Sequence, residues 1–261
     1  MTAGLRSERD GRVLVLTIDR PEVRNALDPA TLDALAAAVT DAGLDATIGA
    51  VVLTGAGHAS FSSGMDLRAL ERDRADAARA SRAFDVVMRD GARIPIVAAV
   101  AGNAIGGGFE IALRCDLVVA ADDVVFGLPE VGRGLVPGGG GTLLPSRISL
   151  AVALELGLTG EPITVQRAYD LGLVNRVVPR AEVLAVALAI AARVAANAPG
   201  AVAATRRLMW VTATDGAAAG LAALRDQPPS AARDREAAEG LAAFFEKRAP
   251  RWEGGTDADD A

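Results

Sequence analysis

Strand-forming sequence in this chain stops at Val178. Before it, four short apolar runs rich in β-branched residues alternate with helix-forming sequence: Val13 to Ile18, Ile48 to Leu53, Ile96 to Val100 and Leu117 to Ala120. Glycine or proline punctuates them: Gly11 and Pro21 bound the first, and Thr54-Gly55-Ala56-Gly57 ends the second. Asp28-Pro29 opens a helix, with Asp as N-cap and Pro at the first helical position, and Leu32, Leu35, Ala36 and Val39 follow at helical spacing. Gly107 to Arg114 supplies another helix between the third and fourth runs. Strands alternating with helices predict an α/β fold with a largely parallel sheet.

From Ala181 onward only helices are predicted: Glu182 to Asn197, Ala201 to Trp210, and Ala231 to Lys247 with Leu241, Phe244 and Phe245 on one face. The expected division is a core over residues 1–195, a helical region over 196–253 and a small, acidic, disordered tail over 254–261. Apolar residues are 51% of the chain and aromatics only 3%, so the core must be built from Ala, Val, Leu and Ile.

Charge and cysteine usage narrow the partners. A formal net charge of −6 argues against nucleic acid or an anionic membrane, and an anionic ligand would need a local basic patch. With Cys115 as the single cysteine, no intrachain disulfide can form, which fits a reducing cytoplasm. Residues 1–11 lack the apolar segment of a signal peptide, and the most apolar stretch, Ile94 to Phe109, is broken by Pro95, Asn103 and glycines. The expectation is a cytoplasmic protein with no membrane association.

Three Gly-rich segments carry the chemical signal: Phe61 to Leu67, Ile105 to Glu110, and Gly138 to Gly141. In the second, a triple glycine runs straight into a helix, which aims free backbone N–H groups at an anion or a developing oxyanion. Neither a phosphate loop nor a dinucleotide fingerprint fits, because no Gly-Lys-Ser/Thr and no strand-linked Gly-x-Gly-x-x-Gly occurs. Glu110 and Glu130 each sit in apolar, Gly-rich sequence, where desolvation would raise a carboxyl pKa into the range useful for general acid–base work. Purely structural roles stay open for both, as a helix-dipole partner for Glu110 and a loop ion pair for Glu130. His58 reads as a surface-loop residue and Cys115 as a core residue. No cluster has metal-ligand spacing, so no metal is expected.

Taken in order, these segments resemble the crotonase (enoyl-CoA hydratase/isomerase) family over nearly the whole chain. The resemblance is carried by Asp19-Arg20-Pro21 with Asn25-Ala26-Leu27, by Val51 to Gly55 with Phe61 to Leu67, and by Pro95 to Val100 leading to Gly106 to Glu110. Phe126 to Glu130, Gly134 to Pro137, Leu158-Thr159-Gly160 and Phe245 to Arg248 continue it. It implies a spiral of ββα units and C-terminal helices that build a homotrimer, often paired into a hexamer. It implies an acyl-CoA substrate, no cofactor beyond that substrate, and hydration of a 2-enoyl thioester. In that reading the Met65 and Gly107 N–H groups form the oxyanion hole, Glu110 activates water and Glu130 exchanges the proton at Cα. CoA would be bound by Arg24, Ala26, Ser63, Gly64, Met65, Asp66, Leu67, Arg68, Gly107 and Lys247, the last reaching a neighbouring subunit. Met65 stands where the family more often has Ala, which narrows the acyl pocket. Gly-Gly-Gly-Phe-Glu and Phe-Gly-Leu-Pro-Glu also resemble the carnitinyl-CoA dehydratase branch, whose cationic substrate would favour an aromatic cage from Phe61, Phe84 and Phe126. The family also admits an enoyl-CoA isomerase that uses Glu130 alone, and a non-catalytic or RNA-binding relative that keeps only the fold.

Overall fold

The computed structural model describes residues 4–72, 82–87 and 94–252. The predicted tail, 254–261, lies outside them. A six-stranded sheet forms the frame, in the order β1 (Leu5–Asp10), β2 (Val13–Ile18), β3 (Ala50–Gly55), β5 (Ile96–Val100), β7 (Leu117–Ala121), β10 (Arg176–Val178). All its pairings are parallel except the β1–β2 hairpin. The central strand β5 is buried at every residue, and β3 at all but its last. That is why those strands read as unbroken apolar runs. β1 escapes that reading because only Leu5 of Leu-Arg-Ser-Glu-Arg-Asp is buried; it is a charged edge strand held by its hairpin partner.

A second sheet, of four very short strands, runs in the order β4 (Ser60–Ser62), β6 (Asn103–Ile105), β8 (Val125–Gly127), β9 (Ile163–Thr164). The chain therefore steps three times from the large sheet to the small one: β3 to β4, β5 to β6, β7 to β8. After each step it enters a helical turn, α2 (Leu67–Arg72), α3 (Gly107–Arg114) or the 3-10 turn Pro129–Arg133. Parallel pairing of β4 with β6 and β6 with β8 brings the three helix starts to one edge. These repeated units are the expected ββα spiral.

Helix α1 (Pro29–Ala42) begins as predicted, with the Asp28 carboxylate accepting from the Thr31 N–H at 2.8 Å and Leu32, Leu35, Ala36 and Val39 buried. Helices α4 (Leu144–Arg147), α5 (Leu150–Thr159) and α6 (Val165–Asp170) follow the third unit. On α7 (Val183–Ala195) the buried residues Val183, Ala187, Ala191 and Ala195 recur every fourth position. Small side chains on that stripe let the helix lie close to β3, β5 and β7.

The chain ends in α8 (Pro199–Asp215), α9 (Ala217–Arg225) and α10 (Ala231–Glu246), and no residue of α8 is fully buried. Polar ties replace burial there. Asp116 accepts from Arg206 Nε at 2.8 Å and Trp210 Nε1 at 2.7 Å, and the Arg114 guanidinium lies 4.4 Å over the Trp210 ring. Glu236 of α10 accepts from the Gly200 and Ala201 N–H groups at the start of α8. No single helix among the described residues is long and apolar enough to cross a membrane.

Candidate active site

The Asn25-Ala26-Leu27 segment positions one half of the site. Asn25 is buried, donates from Nδ2 to the Ala56 and Ser60 carbonyls and accepts from the Arg20 N–H, so its side chain ties three loops together. Leu27 then pairs with Met65 as an isolated parallel bridge: the Leu27 N–H donates to the Gly64 carbonyl at 2.8 Å, and the Asp66 N–H to the Leu27 carbonyl at 2.9 Å. Parallel pairing of this kind uses the groups on either side of Met65 and leaves the Met65 N–H outside the ladder.

Gly107 supplies the other half. It is the first residue of α3, so its N–H has no partner inside the helix. Gly64, at φ +88°, passes so close that a Cβ there would lie 2.8 Å from the Gly107 nitrogen. A Cβ on Gly107 would in turn lie 3.6 Å from the Met65 nitrogen. Two backbone N–H groups without an acceptor among the described residues are thus held side by side, the arrangement that binds a developing oxyanion.

Glu110, in the first turn of α3, is 3% exposed. Its Oε1 accepts from the Gly139 N–H at 2.8 Å and the Gly141 N–H at 3.0 Å. The third Gly-rich segment therefore holds this carboxylate, a role that its sequence did not announce. Glu130 lies in the 3-10 turn and is half-buried. Burial pushes its carboxyl pKa up, and the negative charge of Glu110 adds to the rise; its own backbone N–H and the Arg133 guanidinium oppose it. Glu130 Oε2 is buried with no hydrogen-bond partner among the described residues. Its Oε1 lies 3.0 Å from where a Cβ on Gly106 would stand, and Gly106 has φ +56°. Only glycine leaves room for that oxygen and takes that backbone conformation without strain.

Both glutamates line one cavity of about 660 Å³, together with Ser63, Gly64, Met65, Leu67 and Gly107. The structure thus brings together seven of the catalytic and CoA-binding residues expected from sequence. The others lie off the lining. Ala26 is buried, and its carbonyl accepts from Arg20 Nη1 at 2.5 Å. The Asp66 carboxylate is taken by Arg20, at 3.3 Å, and by the Ala69 N–H in the first turn of α2. Arg24 and Arg68 are exposed on the segments that flank the Leu27–Met65 bridge. Lys247 caps α10 in a left-handed conformation, exposed and not on this cavity.

Sequence reading missed Glu71, Asp85, Arg133, Leu135 and Val136, which with Phe84 complete the wall. Arg133 alone had a signal, its place three residues after Glu130 in a turn begun by Pro129. The expected aromatic cage is not assembled: Phe84 lines the cavity, whereas Phe61 and Phe126 are buried in the core, Phe126 against the Phe109 ring at 5.2 Å. Cys115 is a core residue as expected, its thiol pKa raised by burial. A larger cavity, about 750 Å³, lies between α8 and the core, but its carboxylate, Asp116, is committed to Arg206 and Trp210.

Residues 8–255 match a family model described as enoyl-CoA hydratase/isomerase. The chain is 36% identical over 267 residues to a carnitinyl-CoA dehydratase of Salmonella typhi, covering 97% of this chain and 100% of that protein. It is 37% identical over 248 residues to a 2,3-dehydroadipyl-CoA hydratase of Escherichia coli, covering 94% and 97%. Among solved structures, an enoyl-CoA hydratase from Mycobacterium tuberculosis superposes with a TM-score of 0.82 at 38% identity, covering 96% of this chain and 99% of that one.

Proposed function

Because the chain belongs to the enoyl-CoA hydratase/isomerase family, we propose that it adds water reversibly across the double bond of a 2-enoyl-CoA thioester to give the 3-hydroxyacyl-CoA. The observation that carries this reading is a pair of carboxylates, Glu110 and Glu130, on the cavity that also holds the free Met65 and Gly107 N–H groups.

In this mechanism the thioester oxygen accepts from both N–H groups. Addition of the water oxygen to Cβ pushes the π electrons onto that oxygen, and the donors stabilise the enolate more than the ground state. Each such donor typically contributes about 3–4 kcal/mol. Glu110, its Oε1 pinned by Gly139 and Gly141, holds the water and takes its proton. Glu130, whose pKa is raised by burial, exchanges the proton at Cα. The hydroxyl at Cβ and the hydrogen at Cα arrive from the same face, so addition is syn. Coenzyme A is part of the substrate, and no further cofactor enters. Binding of its adenine and phosphates falls to Arg24, Ala26, Arg68 and the Met65 to Leu67 backbone. Lys247 would act across a subunit boundary.

A homo-oligomer, trimer or dimer of trimers, is part of the same proposal and is supported by Leu221, Leu224, Leu241, Phe244 and Phe245, all more than half exposed on the last two helices. A cytoplasmic location rests on the composition alone. Carnitinyl chemistry is the second reading, favoured by the Salmonella relative's name and opposed by the dispersal of Phe61 and Phe126. An isomerase would need Glu130 alone, and a binding-only relative would need neither glutamate.

Loss of the conjugated enoyl-thioester absorbance with 2-enoyl-CoA substrates tests the reading. Glu110→Gln and Glu130→Gln should each lower hydration by at least about 10²-fold with the fold intact. Near-wild-type turnover in either variant would end the two-carboxylate mechanism.

A further inference from the structure

Among the described residues lining the glutamate cavity, Arg133 is the only cation. It stands three residues after Glu130 in the 3-10 turn Pro129–Arg133. Positions i and i+3 eclipse in such a turn, so Arg133 leaves it on the face that carries Glu130. Its Nη1 donates to the Pro129 carbonyl at 3.2 Å, and among the described residues no carboxylate is ion-paired with it. A guanidinium carries five N–H donors in a planar fork, so most of this one is open to a ligand. The wall then continues through Leu135 and Val136. An acyl chain running outward from the glutamates along that wall meets apolar side chains and one guanidinium with N–H donors to spare. A hydrocarbon tail would take water from that group and return no hydrogen bond, which is unfavourable. A carboxylate would return two.

Resting on the hydratase reading, we propose that Arg133 is a specificity-determining residue that pairs with a carboxylate at the far end of the acyl chain. The preferred substrates are then 2-enoyl-CoA thioesters of dicarboxylic acids. The same guanidinium opposes a trimethylammonium group on that wall.

The test compares kcat/KM for two C6 2-enoyl-CoA substrates, one ending in methyl and one in carboxylate, in wild type, Arg133→Gln and Arg133→Lys. Wild type should favour the carboxylated substrate. In Arg133→Gln the ratio of carboxylated to neutral kcat/KM should fall by about tenfold or more, and Arg133→Lys should recover part of it as a charge without the fork. The ratio is internally controlled, so a partly unfolded variant cannot mimic the result. An unchanged ratio overturns the inference. So does an equal loss on both substrates, which would place Arg133 on a CoA phosphate. Hydration of the neutral substrate with no preference in wild type overturns it while sparing the hydratase reading; hydration of neither substrate removes both.

Discussion

The two glutamates face one cavity from regions built on opposite plans. Glu110 rises from α3, is 3% exposed, and has one oxygen fixed by two backbone N–H groups of the Gly138–Gly141 run. Glu130 hangs from a 3-10 turn, half-buried, with Oε2 unpartnered and Oε1 against the bare Cα of Gly106. One carboxylate is held by hydrogen bonds, the other by an absence of bulk. The difference fits the division of labour proposed for them: a fixed acceptor orients water, while a carboxyl of raised pKa is suited to giving and taking a proton near neutrality.

The comparison breaks most sharply at Gly106. Gly106→Ala places a methyl 3.0 Å from Glu130 Oε1 on a backbone at φ +56°, so Glu130 must move. Turnover should drop by at least about 10²-fold, with a stability loss of about 1–3 kcal/mol. Denaturant melts and kcat check both, and wild-type kcat would show that Glu130 is not set by that vacancy. A smaller effect, of opposite sign, is expected for Glu130→Gln. A carboxyl whose folded-state pKa is raised favours the folded protein only while protonated, and that contribution is lost as pH rises through the raised value. The variant should therefore melt like wild type in acid below the ordinary carboxyl range and higher than wild type at neutral pH, by about 1–3 °C. Equal melting at neutral pH would mean that the buried charge carries no penalty. The smallest effect belongs to Arg133→Gln. The Arg133 charge lowers the Glu130 pKa against the raising effects of burial and Glu110, so its removal should move the alkaline limb of the hydration kcat profile, where Glu130 loses the proton it gives to Cα, to higher pH. Glu71 and Asp85, on the same wall, stay in place in that comparison. No movement would place the guanidinium out of Glu130's reach.

Much of this was legible from residues because it is local. Asp28-Pro29 capped α1 as read, β2 and β5 fell on their β-branched runs, and Glu110 and Glu130 stood out as carboxylates in apolar, Gly-rich surroundings. What stayed hidden depends on length or on distance along the chain. β4, β6, β8 and β9 have three residues or fewer, too short for alternation to register. The bond from Gly139 to Glu110 spans 29 positions and uses only main chain on the glycine side, so no side-chain pattern marks it. Phe61 and Phe126 looked available for a cage, yet strand alternation turned both into the core. The ordered motifs named the family, whereas the wall of Glu71, Asp85, Arg133, Leu135 and Val136 needed the folded chain.

The grip of Gly139 and Gly141 on Glu110 bears on how such a site can drift. A clasp made of main-chain groups keeps a strict count of residues between its two points, and at Gly141 it also keeps the residue, because a Cβ there would lie 2.5 Å from the Pro137 Cβ. Over generations this loop is therefore held both in its length and in its second glycine. An insertion or deletion within 138–141 would release the carboxylate at a stroke, while acyl preference can be rewritten one side chain at a time on the wall beyond.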